Sequence, residues 1–108
     1  LGLSCEPLLE EIDLRPWLHN DMINHVIVGG ESGLDSRPFR GEWAEDLRLQ
    51  CRHTNVPFFF KQFGSNPYYG IETESEPKPL YLSDRKGGNP DEWPYGFNVR
   101  QMPEKQEV

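Results

Sequence analysis

Cysteine is scarce in this sequence of 108 residues, which contains Cys5 and Cys51 as its two thiols. Two thiols so far apart exclude a four-thiolate metal site and a disulfide-stabilised scaffold. The three histidines also lack metal-ligand spacing, so we predict no metal site. Because unpaired cysteine is among the most buried residue types, we expect free, partly buried thiols in a reducing compartment, which implies a cytoplasmic protein.

Long apolar runs and positive charge are also missing. No apolar run approaches the roughly 20 residues that a membrane helix needs, so we expect no membrane partner. Lys and Arg total 11 against 18 Asp and Glu, giving a formal charge of −7. Because phosphate backbones are bound by clustered cations, this charge does not support nucleic acid as a partner. The sequence begins with Leu rather than Met, so we expect a fragment whose partner is the missing N-terminal part of a parent protein.

Three apolar stretches predict strands. The central one, residues 25–28, contains three consecutive branched residues and then breaks into Gly29-Gly30-Glu31-Ser32-Gly33. An apolar run without alternation is typical of a strand covered on both faces, as in parallel sheets. Residues 1–5 and 58–60 form two further runs of this kind. We expect all three strands to be parallel.

One helix is strongly indicated, over residues 42–54. Its apolar side chains share one face at helical spacing, and they are Trp43, Ala44, Leu47, Cys51 and Thr54. Acidic residues begin it and basic residues end it, which matches the helix dipole. A strand, helix and strand over residues 25–62 are long enough for one βαβ unit. Residues 8–18 are expected to form a helical turn and a packed loop, because Pro16 blocks a long helix.

The predicted fold is therefore α/β, either a partial βα barrel or a small open sheet with at least three parallel strands. This unit covers residues 1–64. Residues 65–108 form a proline-rich, loop-rich tail that is packed on it or partly disordered. Within the tail we expect extended segments at residues 80–82 and 98–102, buried anchors at Trp93 and Phe97, and a solvated acidic loop at residues 72–76.

Charged residues follow each predicted strand. Glu6, Glu31 and Lys61 each lie just past the carboxyl end of a strand, which is the edge where open α/β sheets and βα barrels bind ligands. We predict that the three side chains converge there, with Lys61 between or beside the two carboxylates. The candidate ligand site comprises Glu6, Gly29, Gly30, Glu31, Ser32, Lys61 and Gln62.

Two simpler interpretations of this site remain open. The carboxylates could cap loop amides while Lys61 forms a structural salt bridge. The glycine loop could bind phosphate, although it lacks the spacing of known phosphate loops and no helix begins directly behind it. No catalytic residue can be assigned from the sequence.

Several segments together resemble a phage-associated three-cysteine-motif family of unknown function. They are Ser4-Cys5-Glu6-Pro7-Leu8, residues 26–33, the helix from Trp43, residues 56–62, residues 84–90 and Glu92-Trp93-Pro94. The resemblance is to the C-terminal part of this family. It implies a radical S-adenosylmethionine-like parent protein with a partial βα barrel, an iron–sulfur cluster and S-adenosylmethionine.

The family's cysteine trio is absent from this sequence, so we expect no cofactor in this fragment and no cluster assembled by it. Two functions follow from these observations. The first is the substrate-side part of a radical S-adenosylmethionine-like enzyme, inactive as an isolated fragment. The alternative is a non-catalytic phage accessory or protein-interaction module.

Overall fold

The computed structural model describes residues 1–103. Three parallel strands, β1 (Gly2–Cys5), β2 (His25–Gly29) and β4 (Phe58–Gln62), form sheet A in the order β1-β2-β4. Sheet B contains β3 (Phe39–Arg40), β5 (Pro67–Thr73) and β6 (Glu76–Pro79). The α/β prediction with three parallel strands is confirmed, and sheet A stays open rather than closing into a barrel within the described residues.

Two helices connect the strands of sheet A. Helix α1 (Arg15–His19) is short, as expected, and Pro16 lies in its first turn, where proline is tolerated. Helix α2 (Gly41–His53) confirms the predicted helix within one residue at each end. The chain leaves α2 through Asn55, whose φ of 57° is left-handed.

The buried face of α2 contains a polar residue that the apolar pattern did not indicate. Ala44, Leu47 and Cys51 are buried as predicted, whereas Trp43 is only partly buried. Gln50 is also buried, and its side chain accepts a hydrogen bond from Leu14 N at 2.8 Å. It also donates to the backbone oxygen of residue 12 at 3.1 Å, so this amide joins α2 to the segment before α1.

Alternate residues of sheet A differ in burial. The two rows that pair across all three strands and contribute to the core are Leu3, Val26 and Phe58, and Cys5, Val28 and Phe60. The row between them is less covered: Ser4 is exposed, and Ile27 and Phe59 are half-buried. The strand β2 is therefore covered less completely on one face than its sequence suggested.

The tail forms more regular structure than its composition indicated. The strands β5 and β6 form an antiparallel hairpin over residues 67–79, and β5 also pairs with β3 in parallel. The acidic stretch at residues 72–76 lies at the exposed tip of this hairpin, and no strand is assigned at residues 80–82. Residue 100 pairs with Phe59 as an isolated antiparallel bridge.

Trp93 and Phe97 anchor the tail, as predicted. Both are buried, and each ring packs on Phe60 of β4, with centroid separations of 4.9 and 5.3 Å. Phe39 and Phe63 complete this aromatic cluster, and the Phe39 and Phe63 ring centroids lie 5.8 Å apart. The indole of Trp93 donates to Gly87 O at 2.9 Å, so its polar atom is satisfied in the core.

Candidate functional site: the carboxyl edge of sheet A

An ion pair spans sheet A at its carboxyl edge. Lys61 Nζ, from β4, lies 3.2 Å from Oε1 of Glu6, which follows β1. Ser4 Oγ donates to the other carboxylate oxygen at 2.6 Å. Strand β2 lies between the two partners and presents Gly29 there; a Cβ at Gly29 would stand 3.5 Å from Lys61 Cβ. The lysine stem therefore passes close to a residue that has no side chain.

This pair is open to solvent. The Lys61 side chain is 54% exposed and the Glu6 side chain 29%. Exposed ion pairs contribute only about 0–1 kcal/mol to stability. The ammonium has three donors, so it can bind a further oxygen atom while it stays paired with Glu6.

Glu31 has a different partner from the one expected. Its carboxylate accepts bonds from Arg37 Nε at 3.2 Å, Nη2 at 2.7 Å and the Arg37 backbone N at 3.0 Å. These bonds, from the side chain first and the backbone second, lower the pKa of Glu31 to about 2. Among the described residues, the three predicted charged side chains are found in two ion pairs, Glu6 with Lys61 and Glu31 with Arg37.

The glycines at this edge are needed for close backbone packing. A Cβ at Gly30 would lie 2.2 Å from Phe63 O, and one at Gly64 would lie 2.5 Å from Glu31 O. Gly30 N donates to Gln62 O at 3.0 Å, and the Gln62 side chain donates back to Gly30 O at 3.1 Å. Close backbone packing is therefore sufficient to explain why Gly30 has no side chain, and a bound phosphate is not needed for that explanation. Ser32, the remaining predicted site residue, is exposed.

A groove that the sequence did not indicate lies beside this edge, and we name it the edge groove. Its volume is about 700 Å³, and it is lined by Gly33, Leu34, Gly64, Ser65, Pro67, Leu80, Tyr81, Leu82, Asp84, Arg85 and Lys86. The one sequence signal for this groove is the adjacent pair of cations, Arg85 and Lys86. The residues that follow them are typical of a turn, so the pair did not indicate a binding site.

The thiols do not fit an iron–sulfur cluster. Cys51 is fully buried, and burial, together with nearby Cys5, raises its pKa to about 12. Burial and the adjacent Glu6 also raise the pKa of Cys5. Cluster ligation needs several thiolates, so this pair cannot supply the ligand set. Within residues 1–103, no three Cys, His, Asp or Glu side chains are arranged to hold a metal ion.

Comparison with known proteins identifies a family for this chain, but that family has no known activity. No curated protein and no solved structure matches the chain significantly. In the part of the chain described here, no helix has the length and apolar character needed to cross a membrane. A family model described as a protein of unknown function (DUF5131) matches residues 2–94, which include sheet A, both sheet B hairpin strands and the edge groove. The chain therefore belongs to the DUF5131 family of proteins of unknown function.

Proposed function

We propose that this chain is the substrate-side part of a radical S-adenosylmethionine-like enzyme associated with phage and acting in the cytoplasm. The Glu6–Lys61 pair carries the proposal, because it joins two strands of a parallel sheet at their carboxyl ends. Open α/β sheets and βα barrels bind their ligands at this edge. The pair is half-open to solvent, as a substrate-binding group must be before its ligand arrives.

The residues of the pair have distinct roles in this proposal. Lys61 binds a carboxylate, phosphate or hydroxyl oxygen of the substrate through an N–H that Glu6 does not occupy. Glu6, held in place by Ser4, positions the ammonium. Gly29 lies next to Lys61, and Gln62 is hydrogen-bonded to Gly30 O beside it. Glu31 is a structural residue here, because Arg37 occupies its carboxylate.

The less covered face of sheet A also supports the proposal. In a βα barrel, helices cover the outer face of the sheet and the other face lines the interior. Gln50 of α2 is hydrogen-bonded to the segment before α1. The less covered row of Ser4, Ile27 and Phe59 alternates with the core rows and therefore faces the other way. In this proposal, further residues of a longer parent protein would complete the sheet and supply the cluster ligands that Cys5 and Cys51 cannot.

The test uses the natural full-length protein. Its reading frame should encode three closely spaced cysteines before the segment that begins at Leu1. After anaerobic reconstitution, the Cys5→Ser and Cys51→Ser variants should hold as much iron as the wild type. A frame without the cysteine trio, or iron lost with either substitution, would sink the proposal.

The second candidate is a non-catalytic phage accessory or interaction module, and the free edge of β1 favours it. Within the described residues, β1 pairs with β2 alone, whereas the outer edge of β4 is covered by the bridge to Arg100. An uncovered edge strand can pair with a strand of another protein. A natural start codon next to Leu1, together with a complex that is lost when Leu3 is replaced by proline, would select this candidate.

A further inference from the structure

We infer that the edge groove binds a small anionic ligand with a flat ring, of the class represented by a nucleoside monophosphate. This site shares no residue with the Glu6–Lys61 pair. The inference concerns this chain's own residues and does not depend on the enzyme class proposed above.

The first argument is position and size. The groove is formed by the loops that follow β2 and β4, together with the tail segment that packs over them. It therefore lies on the ligand-binding side of the parallel sheet. Its volume of about 700 Å³ falls within the range of about 300–1,000 Å³ for small-molecule pockets.

The second argument is that the groove is held together before any ligand binds. Ser65 Oγ accepts from Gly33 N at 2.9 Å and donates to Arg85 O at 2.6 Å, which ties the three loops to one side chain. Gly64 N also donates to Lys86 O at 3.0 Å. A pre-formed site loses little conformational freedom on binding, so a small ligand can bind with useful affinity.

The third argument is the chemistry of the walls. Leu80 and Leu82 are half-buried and form an apolar wall, while Tyr81 between them is 90% exposed. An aromatic ring open to solvent next to an apolar wall offers a surface for stacking a planar ring.

The fourth argument is charge. Arg85 and Lys86 line the same groove, and no carboxylate of residues 1–103 lies within 4.0 Å of either cation. Asp84, also in the lining, instead accepts from the backbone N of Gly88 at 2.6 Å. In a chain of net charge −7, two cations with no carboxylate partner among the described residues, beside an apolar wall, favour one anionic group on the ligand. The acidity of the remaining chain disfavours a long nucleic acid strand.

Calorimetric titration of the full chain at low salt tests the inference, with AMP, adenosine and inorganic phosphate as probes. AMP should bind at least about 10-fold more tightly than either fragment, because only AMP uses both the ring and the charge. Tyr81→Ala should weaken AMP binding about 5- to 100-fold, and Arg85→Gln about 10-fold. Tyr81→Phe, which keeps the ring, should bind nearly as the wild type does.

Two matched controls lie outside the groove. Tyr95→Ala removes a fully exposed tyrosine, and Lys78→Gln removes a lysine from β6; neither should alter AMP affinity. Because the Tyr81 ring is exposed, Y81A should melt at the wild-type temperature, which separates lost binding from lost folding. The inference is overturned if AMP does not bind, if phosphate or adenosine binds as tightly as AMP, or if Y81A and R85Q leave its affinity unchanged.

Discussion

Replacing Leu47 with alanine tests the packing of α2 on sheet A. Leu47 is 0% exposed, and its neighbours on the same face, Ala44 and Cys51, are 1% and 0% exposed. Removing a buried leucine side chain costs about 2–5 kcal/mol, the loss of transfer energy plus the cavity left behind. For a domain of this size, even the lower value lowers the melting temperature by at least about 8 °C.

Leu49 provides the matched control on the same helix, because its side chain is 42% exposed. L49A should change the free energy of unfolding by no more than about 0.5 kcal/mol. If L47A is too unstable to fold, L47M takes its place in the comparison with L49A. This volume-conserving change lowers the free energy of unfolding by less than about 1.5 kcal/mol, so the variant still folds. Urea titration followed by far-UV circular dichroism measures all three. Equal losses for L47A and L49A would show that the assigned buried face is wrong.

Three further predictions follow from the loops and the thiol. Gly64→Ala should lower the free energy of unfolding, measured by urea titration, by clearly more than Gly96→Ala does. Both glycines have positive φ, which costs about 1–2 kcal/mol for alanine. Of these two, Gly64 alone has a neighbour in the way, because its new Cβ would lie 2.5 Å from Glu31 O. Because Arg37 lowers the pKa of Glu31 from 4.5 to about 2, this pair stabilises the fold above pH 4.5 and its contribution disappears as the pH falls toward 2. Melting curves of Arg37→Gln should therefore lose part of the wild-type pH dependence between those values, and an unchanged profile would contradict the pairing. The Cys51 thiol should react with iodoacetamide only after unfolding, and mass spectrometry showing rapid labelling of the native protein would contradict its burial.

Sheet A and α2 could be predicted because their signals are local. Each strand is a continuous apolar run, and the helix has both apolar periodicity and matching terminal charges. The β5–β6 hairpin could not be predicted in this way, because Gly70, Pro77 and Pro79 normally argue against a strand. The structure accommodates the two prolines by placing them in β6, an edge strand, where a missing backbone donor is tolerated.

The candidate site could also be predicted only in part. The parallel direction of the strands was sufficient to predict that Glu6 and Lys61 lie at one edge, where they form an ion pair. It did not identify the partner of Glu31, because Arg37 lies only six residues away and offers a guanidinium fork plus its own backbone N–H. A planar, two-donor group forms a better-defined pair with a carboxylate than the single ammonium of a distant lysine does. The edge groove depends on how the tail folds back, which no local pattern records.

One irregularity of sheet A links the aromatic core to the candidate site. Val28 pairs with Phe60, but the next residue, Gly29, pairs with Gln62, so β4 contains one extra residue at Lys61. In a regular strand, side chains alternate between faces, and Phe63 would then point away from the face that Phe60 occupies. The extra residue restores Phe63 to the core side, where its ring centroid lies 4.9 Å from that of Phe60. It also leaves Lys61 and Gln62 together opposite one glycine, so the bulge that buries an aromatic ring also presents the lysine to Glu6.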